Sequence, residues 1–346
     1  MRTLIFACFL LVSMIMPVSA LEFAPPEVPM SGEELMPENT DSLAEGLSAL
    51  LRKAFAKLHP QISSAVRIST TVLCTVLLLS VLQTLTGPSK RFTEIGGTVL
   101  IAALLLESTD SLIRLGAETV VELSEYGKLL LPVMTAGLAA QGAVTTSAAL
   151  YTGTVAFDMV LSSIISGLLV PLVYVFLVVS AANSATAEGV LKRIRDFVKW
   201  LISWTLKTVL TVFTAYISLT GVVSGTTDAL TLKATKMTIS SVVPVVGGIL
   251  SDASEAVLIS TAVMKNAAGI YGILAVLSVF LSPFLRIGSH YIVFKVTAAL
   301  CGIYGPKQAT ELIDDFSAAM GFLLAMTGAV CLMLLISTVC FMRGIT

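Results

Sequence analysis

The residues of this chain best placed to do chemistry are ionisable side chains that interrupt apolar sequence. Six stand in or beside long uncharged runs: Asp158, Asp252, Glu255, Lys265, Arg286 and Lys295. A charge near the centre of a bilayer costs at least about 2.5–3.5 kcal/mol, so such residues usually face a cavity or pair with one another. Arg286 and Lys295 are flanked by apolar sequence on both sides, which favours a pathway role. Asp158 lies between two apolar runs and Lys265 directly precedes one, positions equally typical of interfacial charges that cap span ends.

Motifs for nucleotide, metal or covalent chemistry do not occur in the sequence. GxxxxGK[ST], HExxH and GxSxG are absent, and the only two histidines, His59 and His290, are far apart. The five cysteines all lie in apolar segments, and none forms a CxxC pair. The sequence therefore predicts no catalytic residues, no cofactor and no metal. Active transport would need a separate ATPase or an ion gradient.

The composition indicates a membrane protein. The chain has 346 residues, of which 56% are hydrophobic and only 12% charged, with a mean hydropathy of +0.94. Soluble domains carry about 25% charged residues, and a chain this apolar must place much of its surface in lipid. A net charge of −1 argues against a nucleic-acid surface. The fold class predicted is an all-α polytopic membrane protein.

The N-terminus is predicted to be exported. Residues 1–20 resemble a signal peptide, with Arg2 before an apolar core and a small-residue site at Val18-Ser19-Ala20, or else form an uncleaved first helix. Residues 21–60 then form an acidic, proline-rich segment, expected to be extended and mobile, and an amphipathic helix that ends at Pro60. We favour this helix lying on the outer membrane surface over its binding another subunit.

Residues 61–128 are predicted to hold one firm span and two weaker elements. Ile68–Gly87 is long enough to cross, and Lys90 and Arg91 follow on the cytoplasmic side. Ile95–Leu106 is short for a span and fits a re-entrant or interfacial segment. Asp110–Glu125 carries a charge every fourth residue, which predicts an amphipathic helix on the membrane surface.

Residues 129–227 and 237–346 are interpreted as two membrane repeats. Pro132 and Pro171 are 39 residues apart, as are Pro244 and Pro283, and an Asp-Phe pair follows each set. Three crossings in each repeat would invert one relative to the other, with a basic loop at 191–200 inside and an acidic loop at 305–315 on the opposite side. Seven to eight transmembrane helices are expected, some broken or re-entrant, and 266–304 could be one kinked span or two.

Three stretches carry a family resemblance: GLLVPLVYVFLVVSAAN, PVVGGILSDASEAVL and YGPKQATELIDDF. With the signal peptide and the acidic head, they resemble the stage III sporulation protein AE family. The resemblance implies a multi-pass subunit of a channel between mother cell and forespore, located in the mother-cell-derived membrane around the forespore. It also implies ring-forming partners, other membrane subunits, a separate cytoplasmic ATPase and a forespore-side partner.

Three functions remain open from the sequence. The first is a membrane subunit of a sporulation-specific, secretion-like channel needed for late forespore development. The second is a secondary transporter of a small solute, which the inverted-repeat pattern favours. The third is a structural membrane scaffold on which the channel rings assemble. No enzymatic activity is predicted.

Overall fold

A computed structural model describes residues 25–38, 42–85, 90–186, 189–242 and 247–343, with side chains not described at 90–91, 186, 189–190, 220–242, 247–265 and 343. The predicted signal peptide lies outside these residues. The described chain is almost entirely helical and its described residues contain no strand, which confirms the all-α prediction. Its helices are α1 Met30–Glu33, α2 Leu43–Ala56, α3 Leu58–Leu85, α4 Lys90–Ala140, α5 Val144–Ile164, α6 Val170–Thr186, α7 Gly189–Val242, α8 Gly247–Tyr304 and α9 Lys307–Arg343.

Five segments of the described chain are long and apolar enough to cross a membrane. They are Leu43–Leu85, Val144–Ala185, Leu191–Leu219, Asn266–Tyr304 and Lys307–Met342. The chain is therefore a multi-pass membrane protein, although these are fewer spans than the seven to eight predicted. Asp158 lies inside α5, and 266–304 belongs to a single helix, which is the first of the two alternatives left open by the sequence.

The predicted re-entrant segment and surface helix are both wrong. Ile95–Leu106 and Asp110–Glu125 belong to one 51-residue helix, α4. The apolar side of the second segment is buried, with Leu112, Ile113 and Leu123 at most 1% exposed. α4 therefore packs inside the bundle against α8 and α9. The apolar face that the prediction placed on the membrane surface is covered by these helices.

Prolines shape the helices without ending most of them. Pro132 and Pro283 lie within α4 and α8. Pro171 follows a π-helical turn at Ile165–Leu169. Pro60 does not end the amphipathic helix: the break comes at Lys57, and Pro60 sits in the first turn of α3, where no intrahelical N–H bond is lost.

Contacts between helix termini define one end of the bundle, which we call end A. Ser80 Oγ in α3 donates to the Tyr304 carbonyl at the end of α8 (2.9 Å). Arg195 near the start of α7 donates to Asp315 near the start of α9 (2.9 Å). The segments 191–200 and 305–315 therefore lie together at end A, and the prediction that they lie on opposite sides of the membrane is wrong.

The helices that begin at these segments run in the same direction. Near end A, the ion pair between Arg195 and Asp315 joins α7 to α9. Further along, Tyr216 of α7 donates to the Ala149 carbonyl of α5 (2.8 Å), and Thr154 of α5 bonds Ser337 of α9 (2.9 Å). α7 and α9 thus advance in parallel from end A, which contradicts the inverted arrangement. The internal duplication itself remains a prediction.

Glycines let α4 and α8 approach their neighbours closely. A Cβ at Gly127 would lie 2.6 Å from Leu334 of α9, and one at Gly272 would lie 2.8 Å from Leu130 of α4. Such contacts are typical of helix packing in membranes. The hydrophobic effect does not drive helices together in lipid, and small residues instead allow the close packing that stabilises their association. The turn between α4 and α5 also needs a glycine, because Gly142 has a φ of 90°.

The acidic, proline-rich segment is docked on the bundle over residues 25–38, so the prediction that it is extended and mobile is wrong there. Leu35 is 1% exposed, and Gly32 packs against Ser278 and Val279 of α8. Ser31 Oγ donates to Glu122 of α4 (2.6 Å), and Lys57 forms an ion pair with Glu34. That α2 lies on a membrane surface remains a prediction.

We expect Gly32→Ala to release this segment, because the added Cβ would meet Ser278 Oγ at 2.6 Å and the Val279 nitrogen at 2.9 Å. Overpacking of this kind costs about 1–3 kcal/mol. Cleavage of the purified protein by a glutamate-specific protease at Glu33 and Glu34 should become about tenfold faster or more. Gly328→Ala is the matched control, since its Cβ meets nothing within 4 Å. Equal cleavage rates in the two variants would contradict the docking.

Candidate functional site

The exposed face of α4 carries a continuous series of ionisable side chains, which we call the charged band. It consists of four acids and two bases, and all but Asp110 are exposed: Glu107, Asp110, Arg114, Glu118, Glu125 and Lys128. At 1.5 Å per residue the band extends about 32 Å along the helix, close to the thickness of a bilayer core. Apolar residues adjoin it at both ends, with Leu100 and Leu129 more than half exposed.

The charged band lies level with the middle of the apolar spans. Gly116, near the centre of the band, packs 3.5 Å from Leu323 of α9 and 3.6 Å from Ile287 of α8, measured from an added Cβ. Leu323 and Ile287 are themselves near the centres of the spans Lys307–Met342 and Asn266–Tyr304. A charged face at this depth cannot be turned to hydrocarbon without a cost of several kcal/mol. It therefore requires water or another protein subunit against it.

Polar contacts anchor both edges of the band. Asp110 accepts a hydrogen bond from Tyr174 of α6 (2.8 Å) and one from Arg114 (2.9 Å). On the other edge, Glu122 is half-buried and accepts from Ser31 of the docked N-terminal segment. A cavity of about 380 Å³ adjoins Glu107 and is lined on the α3 side by Ile68 and Thr71. The band therefore has polar neighbours at Asp110 on one edge and at Glu122 beside the other.

Asp158 is a buried carboxylate between α4 and α5. Its residue is 2% exposed, and Ser124 Oγ of α4 donates to Oδ2 at 2.5 Å. Oδ1 has no hydrogen-bond partner within the described chain. One turn away on the same face of α5, Thr154 bonds Ser337 of α9. Asp158 was predicted as a candidate charge, and the structure places it in a polar contact layer between three helices rather than at a span end.

Arg195 and Asp315 form the most buried ion pair among the described residues. Their side chains are 11% and 12% exposed, and Arg195 also contacts the exposed Asp196 at 3.2 Å. A guanidinium holds two carboxylates in fixed geometry because its donors lie in one plane. The pair ties the start of α7 to the start of α9.

The remaining predicted charges do not meet in one site. Arg286 is exposed on α8, and Lys295 is exposed and paired with Asp314 of α9 (2.5 Å) near end A. Both therefore lie on the outside of the bundle, and a pathway role for either residue remains a prediction. The side chains of Asp252, Glu255 and Lys265 lie outside the described residues.

Sequence reasoning missed the two features that matter most here. The four-residue repeat of charges on 110–122 predicts a surface helix and does not indicate that this helix lies beside the spans. A count of exposed charges beyond that repeat, from Glu107 to Lys128, would have shown its bilayer-sized length. The Arg195–Asp315 pair joins residues 120 positions apart, and no local pattern could reveal it.

We expect Asp315→Asn to destabilise the protein much more than Asp196→Asn. The first leaves the buried Arg195 without its main partner, which costs about 3 kcal/mol. The second removes an exposed contact worth about 0–1 kcal/mol. The free energy of unfolding in mixed micelles, from denaturant titration of the helical signal, measures both. A larger loss for Asp196→Asn would contradict the account.

We also expect Ser124→Ala to lower stability by about 1–3 kcal/mol, because it removes the hydrogen bond to the buried Asp158. Ser337→Ala, which removes a neutral bond to Thr154 in the same layer, is the matched control and should cost about 1 kcal/mol or less. The same unfolding titration separates them. If Ser124→Ala is as stable as the native chain, the carboxylate does not depend on this serine.

Comparisons with known proteins place the chain in a family. Residues 32–344 match the family model for stage III sporulation protein AE. The stage III sporulation protein AE of Bacillus subtilis (strain 168) is 23% identical over 299 residues, covering 85% of this chain and 74% of that protein. No solved structure matches the chain. Because the match extends over most of its length, the chain belongs to the stage III sporulation protein AE family of sporulation membrane proteins.

Proposed function

We propose that this protein is a membrane subunit of a sporulation-specific, secretion-like channel between mother cell and forespore, and that the charged band of α4 faces its aqueous interior. The observation that carries the proposal is the depth of the band, level with the centres of the apolar spans Asn266–Tyr304 and Lys307–Met342. Water beside the band would satisfy all six charges without burying any of them. One subunit provides a single charged face, so several subunits would have to surround the conduit to close it.

The proposal extends to location and partners. The protein would sit in the mother-cell-derived membrane around the forespore, with its N-terminus exported. It would assemble with other membrane subunits and ring-forming proteins, draw energy from a separate cytoplasmic ATPase, and reach a forespore-side partner indirectly. These assignments rest on the family and on the sequence, which carries no nucleotide-binding motif of its own.

The alternative functions are affected differently by the structure. The transporter hypothesis depended on inverted repeats, and the contact between Arg195 and Asp315 removes the loop argument for them. The scaffold hypothesis keeps a specific observation in its favour, because another protein subunit could cover the charged band as well as water could. In that case the band is an assembly interface and the conduit lies elsewhere.

We expect Arg114→Leu combined with Glu118→Leu to leave vegetative growth and protein level unchanged but to lower heat-resistant spores by more than an order of magnitude. The change removes one base and one acid from the centre of the band. Lys307→Leu with Glu311→Leu is the matched control, since it removes an exposed pair at end A (3.8 Å). A gene deletion gives the reference for complete loss. Normal sporulation of the band variant would contradict a role for the band.

A further inference from the structure

We propose that Asp158 is a proton-binding site inside the membrane, where its carboxyl group keeps a proton in the folded chain at neutral pH. The residue belongs to the candidate span Val144–Ala185 and lies about 21 Å along α5 from the start of that span. One turn earlier, Thr154 bonds Ser337 of α9, which is itself inside the candidate span Lys307–Met342. Asp158 is therefore at membrane depth, packed between helices and away from the ends of the bundle.

The hydrogen bonds of Asp158 are too few for an ionised carboxylate. The residue is 2% exposed, and the one bond to it among the described residues is donated by Ser124 Oγ to Oδ2 (2.5 Å). Oδ1 is buried and has no partner there, and none of the ion pairs between described side chains includes Asp158. Carboxylates buried in proteins are normally paired with a base or hold several hydrogen bonds. A carboxyl group with a single donor is more stable in its neutral form.

The helices packed around Asp158 bring one charged group to bear on it within the described chain. This group is Lys128 of α4, whose exposed ammonium acts on Asp158 from a distance without forming an ion pair. On the α7 side the titratable group is Tyr216, and its hydroxyl already donates to the Ala149 carbonyl. On the α9 side the polar neighbour is Ser337. These surroundings offer the carboxyl group little compensation for a negative charge.

The proton of neutral Asp158 belongs on Oδ1, because Oδ2 is then the carbonyl oxygen that accepts from Ser124. Ionisation breaks the Oδ1–H bond, passes the proton to water and leaves a negative charge in the contact between α4 and α5. Since hydration stabilises that charge, its formation favours separation of the two helices. Proton release therefore opposes the packing of α5 against the helix that carries the charged band. The site does not require the band itself to face a conduit.

Infrared absorption of the purified full-length protein tests the proposal, because a protonated carboxyl group has a C=O stretch that a carboxylate lacks. The detergent must have no ester groups, and the pH is about 7, where an aspartate in water is ionised. We expect a carboxylic acid band that is lost in Asp158→Asn. Asp196→Asn replaces an exposed acid and should retain the band. Ser124→Ala should also retain it but move it to higher frequency, since the carbonyl oxygen loses its hydrogen bond.

The pH dependence of folding gives an independent readout. The folded chain would hold one proton more than the unfolded chain, in which Asp158 ionises in water, so stability falls as the pH rises. Between about pH 5 and 7, the unfolding equilibrium constant of the native chain should therefore increase about tenfold per pH unit relative to that of Asp158→Asn. The same ratio at both pH values would overturn the proposal.

Absence of an acid band from the native chain at neutral pH would overturn the proposal, because Asp158 would then be an ionised carboxylate held by water or by a bound cation. A band that survives in Asp158→Asn would overturn it too, since it would belong to another acid such as the buried Asp315. If Asp158→Asn does not fold, Ser124→Ala decides, and an unchanged band frequency in that variant would contradict the assignment.

Discussion

A charged helix face at the depth of apolar spans is the constraint on which this structure depends. Hydrocarbon cannot solvate carboxylates and ammonium groups, so the face of α4 between Glu107 and Lys128 must meet water or protein. The chain does not cover that face itself, since Arg114 and Glu118 remain exposed. We propose that assembly into a larger complex supplies the water-filled or protein surface that this face needs.

The rest of the fold holds α4 in that position. Gly116 and Gly127 bring α4 against α8 and α9 on the side away from the charges. The buried Asp158 fixes α5 to α4 through Ser124, and the Arg195–Asp315 pair aligns α7 with α9 at end A. The Gly116, Gly127 and Arg195–Asp315 contacts join helices that are far apart in the sequence, whereas Ser124 and Asp158 join consecutive helices. Together they keep the apolar spans on one side of α4 and leave the charged band open on the other.

Sequence reasoning was strongest where a local property decides the outcome. The all-α class follows from composition, and the spans Leu43–Leu85 and Lys307–Met342 follow from the long uncharged runs that begin at Ile68 and Phe316. It failed where the environment of a helix is set by distant parts of the chain. The charges of Asp110–Glu125 predict a helix on a membrane surface with water beside it. Only one face of this segment is exposed, and the other is buried in the bundle. The charges of 191–200 and 305–315 predict that these segments lie on opposite sides of the membrane, whereas an ion pair between Arg195 and Asp315 joins them.

The most direct test of the central claim is the water accessibility of the charged band in the assembled complex. Glu118→Cys, in a chain whose native cysteines are replaced, would be treated in sporulating cells with a thiol reagent that reacts only with hydrated thiolates. Val178→Cys, on an exposed apolar face of α6, is the matched control. The account predicts modification of the first and not of the second. If the Glu118→Cys chain is as unreactive as the control in the complex, yet reacts when purified alone, the band is a subunit interface and does not line the conduit.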